Sequence, residues 1–390
     1  MPIDYHGSSS PSFTRSRHSI LSMKRDQVVY SLDNQTQDHE LEAFQKNVTQ
    51  MFHNLSLVES TELLSISWVS KLLDVFIFCQ EQFRFIQSNN KTCLSKQPME
   101  KAISDYFERS VKGLDVCNAI RDGIEQMRQW QKQLEIGLSV LKNKKDIGEA
   151  QLRRVKRALT DLTIEIVDIE KDSNMNVAQR HRSFNQKDLQ HQQSKFTKQS
   201  RSLSCSVLRY WSASKQLQAI GNNIVLPKNS EIVATNGLIL AVYTMSHVLS
   251  FVMWALVAAI PCQGRGLQAH FNTFKNFTWG VPITSLYERI LEEYKKRDRR
   301  NSCGLLKEIH SIEMYVSYMN GFIIDSMRFP LRVEQEKEVK KRIEHLEIVY
   351  ESVENGLGPL ERQVREVFHR IIRCRIEGIG SVSRKHSSNR

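Results

Sequence analysis

Leu238-Ile-Leu-Ala-Val-Tyr-Thr-Met-Ser-His-Val-Leu-Ser-Phe-Val-Met-Trp-Ala-Leu-Val-Ala-Ala-Ile260 is the stretch on which the fold turns. No Asp, Glu, Lys or Arg occurs between Glu231 and Arg265. As a helix, these residues would extend roughly 34 Å, enough to cross a hydrocarbon core of about 30 Å. Length and composition therefore admit a single-pass transmembrane helix over Leu238–Ile260. They equally admit a core helix enclosed in a bundle, or an interfacial hairpin. Ser246, His247 and Ser250 within the stretch favour enclosure, as do the amphipathic helices elsewhere that need partners. The flanking charges, Lys215 and Lys228 before it and Arg265 and Lys275 after it, give no positive-inside bias and hence no orientation.

Outward from this segment, the apolar period is helical nearly everywhere. Leu41, Phe44, Val48, Phe52 and Leu55 form one stripe. Residues 63–86 are apolar almost all round but carry Lys71, Asp74, Glu81 and Arg84, which suits a central bundle helix and not a span. From Pro98 a long helix keeps its period through Ile103, Phe107, Ile120, Ile124, Met127 and Leu134. Leu152, Val155, Leu159, Leu162, Ile166 and Ile169 then repeat as a heptad, which asks for an antiparallel neighbour within the chain. Past the apolar segment, stripes start at Ile283, Leu305 and Val339. Gly356 and Pro359 mark a stop before a last stripe from Leu360.

The expected fold is all-α: an elongated helical bundle with long antiparallel helices, a flexible N-terminus and a central linker. The expected boundaries are a flexible segment at 1–38, an N-terminal helical bundle at 39–171, and a basic disordered linker at 172–203. A short helix plus the strongly apolar helix fill 204–264. A packed loop at 265–281, a C-terminal helical region at 282–378 and a tail at 379–390 complete the chain.

Forty per cent hydrophobic content in 390 residues suffices for a sizeable core. The formal charge of +12 suits an anionic lipid surface or an acidic protein as partner. Nucleic acid is not expected, because no zinc finger, helix-turn-helix or aromatic-interleaved basic strand accompanies the charge. Seven cysteines without a CxxC pair indicate neither a disulfide framework nor a metal site. The start, MPIDYHGSSSPSF, lacks the pattern of a secretory signal, so a cytoplasmic location with membrane association is the expectation.

Catalytic motifs are missing: there is no GxGxxG, P-loop, GxSxG or HExxH. No catalytic, cofactor-binding or metal residue is assigned, and the binding residues are open. Gly264-Arg-Gly-Leu-Gln-Ala269 follows an apolar helix and not a strand, which is the wrong context for a dinucleotide. Cys303 lies near the basic run Lys295-Lys-Arg-Asp-Arg-Arg300, a neighbourhood that lowers a thiol pKa, but an ordinary buried or idle cysteine is the expectation. Two basic segments are candidates for anionic partners: that run, and the face with Arg362, Arg365, His369 and Arg373. Ser19, Ser183 and Ser204 follow arginines and match a basophilic kinase pattern.

Several long segments, in order, resemble the plant ROH proteins, relatives of the BYPASS family. They are Trp68-Val-Ser-Lys-Leu-Leu-Asp-Val-Phe76, the run from Asp105 to Asp122, Trp211-Ser-Ala-Ser-Lys-Gln-Leu-Gln-Ala-Ile-Gly221, Val252-Met-Trp-Ala-Leu-Val-Ala-Ala-Ile-Pro-Cys262, and the run from Pro359 to Arg370. The resemblance covers about residues 15 to 378. It implies a helical, non-enzymatic protein. It further implies binding to an exocyst subunit of the seventy-kilodalton class and an influence on plant secretion at the plasma membrane. The BYPASS relatives imply an alternative, a developmental regulator that restrains production of a mobile signal.

Overall fold

The computed structural model describes residues 32–142, 149–178, 212–262, 264, 267, 276–298, 303–325 and 333–383. Among these there are eleven helices and no strand: α1 (Leu32–Ser56), α2 (Ile66–Asn89), α3 (Lys91–Leu94), α4 (Met99–Lys142), α5 (Glu149–Ala178), α6 (Ala213–Gly221), α7 (Asn229–Ala234), α8 (Leu238–Ala259), α9 (Gly280–Asp298), α10 (Lys307–Asp325) and α11 (Val333–Ser383). The expected all-α, elongated bundle is what is found. The 51 residues of α11 reach about 76 Å.

The apolar stretch is α8, and every one of its 22 residues is buried. Helices α1, α2, α4, α6 and α9 pack around it. Phe52 of α1 meets Phe251 edge-on at 5.8 Å, and Trp254 lies 4.6 Å from Tyr287 of α9. Of the readings left open by length and composition, the structure gives the enclosed helix. The polar side chains of α8 are accommodated singly. Gln45 donates to Thr244 at 2.8 Å, and Ser246 donates back to the Val242 carbonyl at 2.8 Å.

A buried helix end leaves carbonyls that must find donors. At the C-terminus of α8 the segment before α10 supplies them: Leu305 N–H donates to Ala258 O at 3.0 Å and Leu306 N–H to Ala259 O at 3.1 Å. Lys307 N–H continues the series to Leu64 O at 3.0 Å, tying the α1–α2 turn to the same corner. So tight a fit requires small residues. A Cβ on Gly304 would sit 2.7 Å from Ala259 O, and one on Gly123 of α4 would run into Pro261 O and lie 2.8 Å from Ile260 Cγ2. Gly123→Ala is expected to destabilise by about 1–3 kcal/mol, because the obstacle is backbone that cannot swing away. Gly137→Ala, on the same helix with nothing within 4 Å of the new Cβ, should gain up to about 1 kcal/mol. Urea denaturation of the two variants checks the pair, and equal effects would contradict the packing described.

The remaining long helices lie side by side. α11 runs parallel to α2, with Gln363 beside Asp74 and Arg370 beside Glu81. It runs antiparallel to α4, whose Arg128 meets Glu361. α5 folds back on α4 and uses Val155, Leu159, Leu162 and Ile166 as its buried seam, so the heptad has an intramolecular partner.

Three helix ends differ from the sequence expectation. α11 does not stop at Gly356–Pro359 but passes through Pro359. The carbonyl that loses its donor there belongs to Asn355, which faces solvent, while Leu357 and Leu360 are buried on the other side. Tertiary packing on both flanks thus outweighs the missing bond. α11 also continues to Ser383, into the expected tail, α5 continues through Ala178, past the expected start of the linker at 172, and α1 starts at Leu32, inside the segment expected to be flexible through 38. The linker expectation for 179–203, the N-terminal segment 1–31 and the tail at 384–390 lie outside the described residues.

Candidate interaction surface

The residues nearest to reactive chemistry are placed where they are inert. Burial pushes the thiols of Cys79, Cys117 and Cys374 up to about 12, far from the thiolate that a nucleophile needs. Cys303 is 5% exposed and its Sγ lies 3.6 Å from the carboxylate oxygen Glu313 Oε1. His247, packed at 4.5 Å against Tyr243 and 5.9 Å from Trp279, has its pKa driven down to about 3 by burial and then by the charge of Arg109. It is a neutral core group at ordinary pH. Among the described residues no group of three or more His, Cys, Asp or Glu is arranged to hold a metal. Gly264 adopts φ +62° and packs against Ser212, whose N–H-capping side chain starts α6. Close helix packing accounts for that glycine.

The two basic candidates part company. In the run from Lys295, Lys296 forms an ion pair with Glu293 at 2.9 Å. Arg297 is buried and donates to Leu305 O at 2.9 Å and Leu306 O at 3.3 Å, which makes it part of the corner that closes α8. Arg299 and Arg300 lie outside the described residues. Of this run, Arg297 is structural, while Lys295 and Lys296 are exposed.

The face on α11 is different. Arg362, Arg365, His369 and Arg373 are all exposed, at spacings of 3, 4 and 4 that align them on one ridge, and Ile376 extends it at 65% exposure. Arg365 leans on Glu361 at 2.9 Å. Next to this ridge runs that of α2, where Phe78 is 37% and Phe85 is 57% exposed. Between the two lies a line of polar links: Gln363 to Asp74 at 2.6 Å, Arg370 to Glu81 at 2.8 Å, and Arg84 to Glu377 at 3.2 Å. The hydrogen bond from Arg84 is the main reason the Glu81 carboxyl titrates below the usual carboxylate range. Exposed pairs of this kind contribute about 0–1 kcal/mol each, so their effect is to hold the register of α11 against α2. Exposed Phe, Ile and Arg side chains interleaved on a rigid two-helix platform have the composition of a protein interface.

Sequence reasoning found the α11 half and missed the α2 half. The signal was present: Lys71, Asp74, Phe78, Glu81 and Phe85 fall at spacings of 3, 4, 3 and 4, so the polar positions mark the solvent face and place both phenylalanines in it. Ser19, Ser183 and Ser204 lie outside the described residues.

The family described as "Protein ROH1-like" matches residues 9–382. Protein ROH1D of Arabidopsis thaliana is 50% identical over 388 residues, covering 95% of this chain and 97% of that protein. Protein ROH1A of the same plant is 30% identical, covering 92% and 93%. A more distant relative, UPF0496 protein 4 of Oryza sativa subsp. indica, is 22% identical over 65% of this chain and 47% of its own length. No solved structure matches the chain. A helical chain matched almost end to end by that family and by two Arabidopsis members is itself a member of the plant ROH1-like family.

Proposed function

We propose that this protein is a non-catalytic interaction protein that binds an exocyst subunit of the seventy-kilodalton class and thereby modulates secretion at the plasma membrane. The observation that carries the binding side is the double ridge of Phe78, Phe85, Arg362, Arg373 and Ile376. Apolar side chains of this size are ordinarily withdrawn from water, and two rigid helices hold these outward. Arg and aromatic anchors of this type commonly contribute 2 kcal/mol or more apiece to a protein complex. The membership in the ROH1-like family supports the choice of partner class.

The test is direct binding of the purified chain to a panel of such exocyst subunits, with Phe85→Asp/Arg373→Glu as the probe. The wild type should bind at least one subunit, and the double variant should weaken that complex about a hundredfold or more. Both sites are exposed, so the circular dichroism and melting temperature should be unchanged. If no subunit of the class binds, the partner assignment fails. If binding survives the double variant, the ridge is not the contact.

A further inference from the structure

A second charged face lies elsewhere, on α5. Arg153, Arg154, Lys156 and Arg157 are all exposed, and Asp161 is the sole exposed acidic residue among the described side chains of that helix. On α5 the helical spacings bring like charges together: Arg153 with Lys156 and Arg157, and Arg154 with Arg157. Such pairs repel and weaken a helix, and cations gain nothing near a helix N-terminus. Their presence breaks a local rule, and local rules are broken where a surface has another use. The wider charge distribution agrees, since residues 142–203 carry fourteen Lys and Arg against eight Asp and Glu, half of the chain's net +12.

We propose that this face of α5 docks the protein on an anionic membrane surface. The reading rests on the membrane-proximal role proposed above and adds the surface that meets the lipid, one distinct from the ridge offered to the protein partner. Chemistry favours lipid over the other polyanions. No Phe, Tyr or Trp occurs between 149 and 166 on which a nucleic-acid base could stack. Instead Ile164, two turns beyond Arg157 on the same face, is 52% exposed, and Ile136 on the adjoining α4 is 51% exposed. Aliphatic side chains beside clustered Lys and Arg make the composition of an interfacial helix.

The experiment uses the full chain, co-sedimented at 0.15 M salt with vesicles of phosphatidylcholine alone or with about 30% phosphatidylserine. The probe variant is Arg153→Gln/Arg154→Gln/Lys156→Gln/Arg157→Gln. The wild type should pellet with the anionic vesicles and not with the neutral ones. Each basic residue near such a surface is worth about fivefold, so the variant should bind at least a hundredfold more weakly. It should fold normally, with a melting temperature within a few degrees of the wild type, because all four side chains are exposed. The Phe85→Asp/Arg373→Glu variant should keep full vesicle binding, and the four-glutamine variant should keep any exocyst-subunit binding, so failure of one surface is separable from failure of the other. Equal binding to neutral vesicles, retention of binding by the four-glutamine variant, or capture of polyglutamate or RNA but not of anionic vesicles would each overturn the proposal.

Discussion

Val252→Arg is expected to abolish the cooperative fold. Val252 is 0% exposed, midway along a helix enclosed by its neighbours, in a stretch with no charged residue from 232 to 264. An arginine there has no carboxylate to pair with and no route along its own helix to water. Leaving a buried charge unpaired costs about 3–5 kcal/mol, and forcing the larger side chain into a filled core adds about 1–3 kcal/mol. Together these approach the whole stability of an ordinary domain, about 5–15 kcal/mol. Circular dichroism should therefore show reduced helicity and no cooperative melt, whereas Val252→Ile, which adds one methylene and no charge, should cost about 1–3 kcal/mol and keep a cooperative melt. The same substitution separates the two uses of such a helix. In a true membrane span the surrounding helices would keep their fold and only membrane retention would be lost. A variant that melts cooperatively within a few degrees of the wild type would contradict the enclosed arrangement.

Hydropathy could not settle that point, because a spanning helix and the central helix of a bundle obey the same rule of uniform apolarity. What distinguishes them is the company they keep. The stripes at Phe44, Val48 and Phe52, at Ile120, Ile124 and Met127, and at Ile283, Leu286 and Ile290 each had an apolar face without a partner, and all of these residues are buried. Those stripes were legible because amphipathic period is a local property. Other features depend on segments far apart in the chain. Arg297 reads as part of a solvated basic run until the corner formed by Leu305 and Leu306 closes over it. Pro359 reads as a helix stop until packing on both sides carries α11 past it. The α2 ridge was hidden because a helix buried on most of its circumference looks central from composition alone. The exposed charges of α5 were legible in sequence, since four basic residues fall within 153–157. They were passed over because the heptad on the opposite face explains the helix by itself.

Glu308 shows how one side chain can carry several of these long-range connections, and its removal is the second large effect expected. Its carboxylate is 7% exposed and accepts the Ile66 backbone N–H through both oxygens, at 3.2 and 3.3 Å, while Ser352 donates to Oε1 at 3.2 Å. Ile66 is the first residue of α2, and Ser65 caps the same end by accepting from Trp68 N–H at 3.1 Å. A buried helix N-terminus presents unpaired donors and a partial positive charge, so an anion supplied by α10 satisfies both. It also fastens α2 to α10 and α11 at one point. Glu308→Ala would strand a buried N–H, at about 1–3 kcal/mol, and forfeit up to about 2 kcal/mol of helix-terminus attraction. The expected loss is therefore about 3–4 kcal/mol. Glu308→Gln keeps the shape and one acceptor but not the charge, and should lose roughly half as much. A double-mutant cycle with Ser352→Ala should report coupling of about 0.5 kcal/mol or more, since the two side chains share one hydrogen bond. Chemical denaturation measures each of these variants. Full additivity, or a Glu308→Ala variant within 0.5 kcal/mol of the wild type (about the scatter of surface substitutions), would mean that α2 finds its N-terminal partner elsewhere.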